Sequence, residues 1–93
     1  MEVLHKDGYK GSFYIEQNGA LLAEMTYVHQ GGDRLIMDHT EVADELQGQG
    51  TGMLLLDAAV AFARKNNLKM MPLCPYVKHQ FEKDPAKYAD VAV

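Results

Sequence analysis

The sequence predicts an α/β fold built on one mixed sheet, an antiparallel meander that runs into a strand–helix–strand unit. Three observations predict it. The first half alternates apolar and polar residues with period two and is broken by turn signals at Asp7-Gly8, Asn18-Gly19 and Gln30-Gly31-Gly32-Asp33. A run from Met53 to about Asn66 carries apolar side chains at helical spacing. A short apolar segment, Leu68 to Leu73, follows that helix, and such a connection between strands of one sheet is parallel and right-handed.

In chain order, Glu2 to Lys6 reads as an edge strand and Tyr9 to Gly11 as irregular chain. Ser12 to Gln17 places Phe13 and Ile15 on one face and Tyr14 and Glu16 on the other, as in a half-buried strand. Asn18-Gly19 is a hairpin signal, because both residues tolerate positive φ. Ala20 to His29 is the return strand, with Leu21, Ala23, Met25 and Tyr27 on its apolar face. Arg34 to Val42 is the next, and short turns make these neighbours antiparallel. The long helix begins near Gly50 or Thr51. Leu55, Leu56, Ala59, Val60, Phe62 and Ala63 form its apolar stripe, and Asn66-Asn67 stops it. Pro75 suits the first turn of a second helix reaching about Lys83, and Asp84-Pro85 ends it. Ala86 to Val93 is expected to be a short helical turn and a tail.

The 93 residues are expected to form one domain, 1–93, with a small core. Nine basic and thirteen acidic residues, a net charge of −4, argue against nucleic acid as a partner. No apolar run approaches the roughly 20 residues that span a bilayer, and the N-terminus lacks the apolar core of a signal peptide. One cysteine precludes an internal disulfide. These readings point to a cytoplasmic protein without a membrane partner, a monomer or weak dimer. His5, His29, His39 and His79 show no metal-ligand spacing, so no metal is expected.

The chemistry concentrates in Val42 to Cys74. Gly48, Gly50 and Gly52 occupy every second position and open directly into the helix. The first turn of a helix has amides without intrahelical partners and a partial positive charge. Glycine lets an anion approach them, and Gln47 and Gln49 are candidate further donors. No lysine followed by serine or threonine closes the loop, so the nucleoside-triphosphate pattern fails. The dinucleotide fingerprint fails on its glycine spacing and on a missing acidic residue.

Gln47-Gly48-Gln49-Gly50-Thr51-Gly52 resembles the Gln/Arg-x-x-Gly-x-Gly/Ala signature of the GNAT acetyltransferase superfamily. Asp38-His39-Thr40-Glu41-Val42 before the loop and Leu73-Cys74-Pro75-Tyr76-Val77-Lys78 after the helix extend the resemblance to its short single-domain members. The resemblance implies a minimal GNAT, or acyl-CoA N-acyltransferase, fold, with the sheet splayed between the strands that end near Val42 and Cys74. It implies acetyl-CoA as cosubstrate, its pyrophosphate on the loop and its amide-rich arm along a strand edge. The implied cofactor-binding set is Glu41, Val42, Gln47, Gly48, Gln49, Gly50, Thr51, Gly52, Tyr76 and Lys78. The implied activity is acetyl transfer to an amine such as a protein or peptide lysine. Much of the N-terminal helical region of larger members is missing, which leaves the acceptor open.

Two residues are catalytic candidates. Cys74 directly precedes a predicted helix, where a thiolate is favoured. It either takes the acetyl group, gives a proton to the departing thiolate, or is a small buried hydrophobe. His39 is expected on one strand face with Leu35, Met37 and Glu41, as a general base or as a hydrogen-bonded core histidine. The rival reading is a domain that binds CoA or acyl-CoA without catalysis, as a sensor or partner-binding module.

Overall fold

A computed structural model describes residues 1–93 as five strands and three helices. The strands are β1 (Leu4–Lys6), β2 (Lys10–Gln17), β3 (Ala20–Gln30), β4 (Arg34–Val42) and β5 (Lys69–Pro72). The helices are α1 (Thr51–Lys65), α2 (Pro75–Lys83) and α3 (Pro85–Tyr88). The sheet runs β1-β2-β3-β4-β5 in chain order. Its first four strands are antiparallel, and β5 joins β4 in parallel after the α1 crossover.

The turn chemistry behaves as the residue types require. Asn18 and Gly19 close the β2–β3 hairpin at φ 52° and 79°, and Asn67 ends α1 at φ 55°. Tyr9 is the only residue of the expected irregular stretch outside β2, since Lys10 and Gly11 pair with Val28 and Tyr27. The tail does more than expected. The Met70 amide donates to the Val91 carbonyl and the Val93 amide to the Met70 carbonyl, so the chain end covers the outer edge of β5.

One core forms between one sheet face and the helices. Phe13, Ile15, Met25, Tyr27, Leu35, Met37 and Met70 meet Leu55, Leu56, Ala59, Val60 and Ala63 of α1, with Val77 and Phe81 of α2 completing the cluster. Leu21 leaves the apolar face expected of it and is 54% exposed at the hairpin tip. α1 packs on β2, β3 and β4, and α2 on β5. The opposite sheet face, with Tyr14, Glu24, Thr26, Val28 and Ile36, is only half-buried. No helix is long and apolar enough to cross a membrane, and no group of three His, Cys, Asp or Glu is placed to hold a metal ion.

A β-bulge decides which β4 side chains face the core. Thr26 pairs with His39 but Tyr27 with Met37, so Asp38 is the extra residue. Period-two alternation would put His39 on the face of Leu35 and Met37. The inserted residue reverses the parity beyond it, as any one-residue shift does. Thr40 and Val42 follow Met37 on the core side, while His39 and Glu41 lie exposed on the bare face.

At the other end of the sheet, β1 is anchored by a polar network inside an aromatic cluster. The Tyr27 hydroxyl donates to Asp7 Oδ1 at 2.6 Å, His5 Nε2 lies 2.6 Å from that hydroxyl, and His29 Nε2 lies 3.0 Å from the same carboxylate. His5 stacks on Phe13 at 4.1 Å between centroids. Hydrogen bonds from Tyr27 and His29 pull the Asp7 carboxyl down to about 2, and burial lowers the His5 imidazole. Both groups resist protonation in the folded chain. Their stabilisation is therefore complete above the unfolded histidine range near 6.5, and it fades as pH falls toward about 2. Acidification should first raise hydrogen exchange at the β1 amides, and Asp7→Asn should remove the part of that pH dependence below about 4.

Candidate active site

The candidate site is where β4 and β5 part. Their pairing ends at Met37 and Pro72, and the amides of Leu73 and Cys74 both converge on the Met37 carbonyl, at 3.1 and 2.7 Å. Beyond that point β4 keeps only β3 as a partner, so its edge from Asp38 to Val42 faces open space. A cavity of about 310 Å³ opens along this edge, lined by Thr40, Val42, Leu46, Gln47, Gly48, Gly50, Thr51, Gly52 and Tyr76.

The loop is wound so that its amides have no acceptor within the chain. Gly48 and Gly50 adopt φ 79° and 74°, which glycine enters at little cost. A 3₁₀ turn at Asp44–Leu46 precedes them, and Gly50 is the residue before α1. The helix has no side-chain cap, and its first internal bond is Leu54 N–H to Gly50 O. The amides of Gly48, Gln49, Gly50, Thr51, Gly52 and Met53 consequently have no acceptor within the chain. Gly52 serves a different purpose. A Cβ there would stand 2.8 Å from the Tyr76 ring, so glycine lets the first turns of α1 and α2 close on each other.

The side chains of the loop hold it rather than reach outward. Gln47 Nε2 donates to the Val42 carbonyl and to Asp44 Oδ1, both at 3.3 Å, and Gln49 Nε2 donates to the Glu45 carbonyl at 3.0 Å. Thr51, buried, donates its hydroxyl to the Leu46 carbonyl at 3.1 Å instead of capping α1. The glutamine amides, candidate further donors from their place in the loop, thus bond within the loop, and the groups left without acceptors at this junction are backbone amides. Such a helix end is suited to an anion.

The structure divides the remaining candidates. Cys74 is the residue before α2 and is 3% exposed. Its Sγ lies 3.1 Å from Thr40 Oγ1, and Thr40, not Cys74, reaches the cavity wall. Tyr76 lines the same cavity, and burial pushes its phenol up, so the hydroxyl keeps its proton at neutral pH. His39 lies on the bare face, 62% exposed, with Glu41 Oε2 at 3.8 Å. It is not beside Cys74, because adjacent strand residues point to opposite faces. Glu41 lines a separate surface depression with Glu24 and Asp44, and Gln49 and Lys78 lie exposed outside the cavity. Thr40 is the residue that sequence reasoning passed over. Only the register of the bulge reveals its contact with the thiol.

Splayed parallel strands with an uncapped, glycine-wound helix start between them define the acyl-CoA N-acyltransferase class of fold. The model of the family described as GCN5-related N-acetyl-transferase matches residues 12–91, and the chain belongs to that family. Family membership makes it a GNAT-type N-acetyltransferase, an enzyme class whose cosubstrate is acetyl-CoA. Among solved structures, it resembles a GCN5-like candidate N-acetyltransferase from Staphylococcus aureus at 41% identity and TM-score 0.74, over 99% of this chain and 87% of that one. A ribosomal-protein-alanine N-acetyltransferase from Brucella melitensis biovar Abortus 2308 shares the fold at 19% identity and TM-score 0.64, over 94% of this chain and 64% of that one. The aminoglycoside N-acetyltransferase AAC(6')-Iy, solved with CoA, does so at 11% and 0.56, over 86% and 67%. A search of curated protein sequences found no match.

Proposed function

We propose that the chain transfers the acetyl group of acetyl-CoA to an amine, with Gly48 to Met53 holding the diphosphate and the exposed edge of β4 holding the pantetheine arm. The observation that carries this reading is the row of six amides without acceptors beside the β4–β5 gap. Acetyl-CoA supplies an acyl group activated as a thioester. The residues of the chain orient it and move protons.

The bulge gives β4 a different function on each face. An acceptor amine is protonated near neutral pH and must lose a proton before it attacks. His39, on the bare face with Glu41 Oε2 at 3.8 Å, takes that proton. On the core face Thr40 gives a proton to the departing sulfur, and Cys74 behind it restores the hydroxyl. The nitrogen–carbon bond forms as the carbon–sulfur bond breaks, the nitrogen sheds its second proton to solvent, Cys74 regains a proton from cavity water through Thr40 as CoA leaves, and Tyr76 contributes a second hydroxyl at the cavity. Most of the acceleration comes from holding amine and thioester together in the gap.

Mass spectrometry of the protein with acetyl-CoA and a library of amines tests the reading, with acetylated acceptor and free CoA as the expected products. His39→Ala should lower kcat/KM by about a hundredfold and abolish its rise with pH through the neutral range, because a general base contributes on that order. A variant profile of unchanged shape would take His39 out of the proton path.

A further inference from the structure

The bare sheet face contains a groove that none of the CoA contacts uses. It encloses about 430 Å³ and is floored by Ser12 and Thr26. Cross-strand register sets its layout. Lys6, Ser12, Thr26 and His39 form one row across β1, β2, β3 and β4. Lys10 and Val28 form the next row toward one side, and Tyr14, Glu24 and Glu41 the next toward the other.

Three features of this groove point to a ligand. Ser12 is 8% exposed and its hydroxyl makes no hydrogen bond within the chain, yet that hydroxyl is not sealed, so it opens on the groove. Glu24 and Glu41 stand directly opposite one another, an arrangement of like charges that disfavours folding and that a bound cation relieves. Lys6 and Lys10, at the far side, have no ion-pair partner in the chain. One end of the groove is therefore acidic and borders His39, while the other is basic. Asp38, the bulged residue, is held at the acidic end by the Thr26 hydroxyl at 2.6 Å.

We propose that this groove is the acceptor site and that its acceptor is a small amine carrying its own anionic group, such as an amino acid whose amine is distant from its carboxylate. The inference rests on the acetyltransferase reading and adds the acceptor class to it. The ammonium lies between Glu24, Asp38 and His39. The anion lies against Lys6 and Lys10, with Ser12 donating to the molecule between them. Two strand spacings of about 4.8 Å each separate the lysines on β1 and β2 from the carboxylates and imidazole on β3 and β4, and the reach of the side chains shortens this to roughly 6–8 Å between the two charges. That span suits an ω-amino acid of four to six carbons.

The test compares γ-aminobutyrate and ε-aminocaproate with alkylamines of equal length lacking the carboxylate. Acetyl-CoA binding is measured separately by calorimetry. Acetylation should favour the amino acids by about tenfold in kcat/KM, equivalent to one fairly exposed charge contact. The preference should shrink with added salt. The Lys6→Gln/Lys10→Gln double variant should bring the ratio close to one and leave the acetyl-CoA affinity unchanged. Without any CoA, ε-aminocaproate should shift the amide resonances of Ser12, Thr26 and His39, and Ser12→Ala should weaken that titration. Equal rates for both amine classes, shifts elsewhere on the surface, or faster acetylation of a lysine peptide than of any free amine would overturn the proposal. Failure of acetyl-CoA to bind in the calorimeter would instead remove the enzyme reading, a result the amide titration cannot mimic.

Discussion

Gly50→Val should raise the Kd for CoA by at least about a hundredfold while leaving the circular dichroism spectrum of the folded chain in place. Gly50 holds φ 74° with no heavy atom within 4 Å of where a Cβ would stand, so the obstacle is backbone conformation and not a clash. A left-handed residue costs about 1–2 kcal/mol when it carries a Cβ, and a β-branched one is a still worse occupant. The loop would relax toward negative φ and turn its amides away from a common centre. Hydrogen bonds to a charged group contribute about 1.5–3 kcal/mol each, so losing two suffices for the stated effect. The cost to folding should stay near 1–2 kcal/mol, because a Cβ at Gly50 would meet no neighbouring atom. Gly50→Asn is the control. Asparagine tolerates the left-handed region, and its Kd should remain within about tenfold of wild type. Thermal shift reads both variants, since CoA at 100 times its Kd adds about 2.7 kcal/mol to the native state. If the valine variant were stabilised by CoA as strongly as wild type, the diphosphate would have to bind elsewhere.

The strands, the helices and this loop could be read from residue order because each has a local cause. Asn18-Gly19 dictates a hairpin, Asn67 a helix stop, and Pro75 a helix start one residue after Cys74. The glycine pattern marks the candidate anion site for the same reason: a helix end and small residues are properties of a short segment. Side-chain direction in β4 is of another kind. Asp38 looks like its neighbours in the sequence, and its bulge arises only from pairing with Thr26 and Tyr27, a dozen residues away. That one extra residue exchanges the faces of His39 and Thr40, and with them the partner of Cys74. The hydrogen bonds of Gln47 and Gln49 were equally out of reach. Composition identifies an amide donor, but whether it turns to its own loop depends on the folded path of Asp44 to Leu46. The helices lie on one face only, so the groove at Ser12 exists because nothing covers the other. A sequence shows the helices it encodes more directly than the surface they leave bare.

Thr40→Val should lower kcat by about a hundredfold and change the Kd for CoA by less than about threefold, the mark of a group that acts in proton transfer and not in binding. Valine keeps the shape of threonine and removes the hydroxyl between Cys74 and the cavity. Cys74→Ala should cost a similar factor, because the thiol is 3% exposed and acts only through its neighbour. The decisive measurement is the double variant. If the two residues form one relay, breaking it twice is no worse than breaking it once, and the Thr40→Val/Cys74→Ala rate should match that of either single variant. Independent roles would multiply to about a ten-thousandfold loss. Covalent catalysis makes the opposite forecast. A thiol that accepts the acetyl group needs a clear path to the thioester, and replacing Thr40 with a residue of equal size does not obstruct one. An acetyl adduct on Cys74, trapped by mass spectrometry at a rate matching turnover and still formed in Thr40→Val, would therefore replace the relay with a two-step transfer. The observed geometry favours the relay, because the sulfur lies behind the hydroxyl and outside the cavity lining.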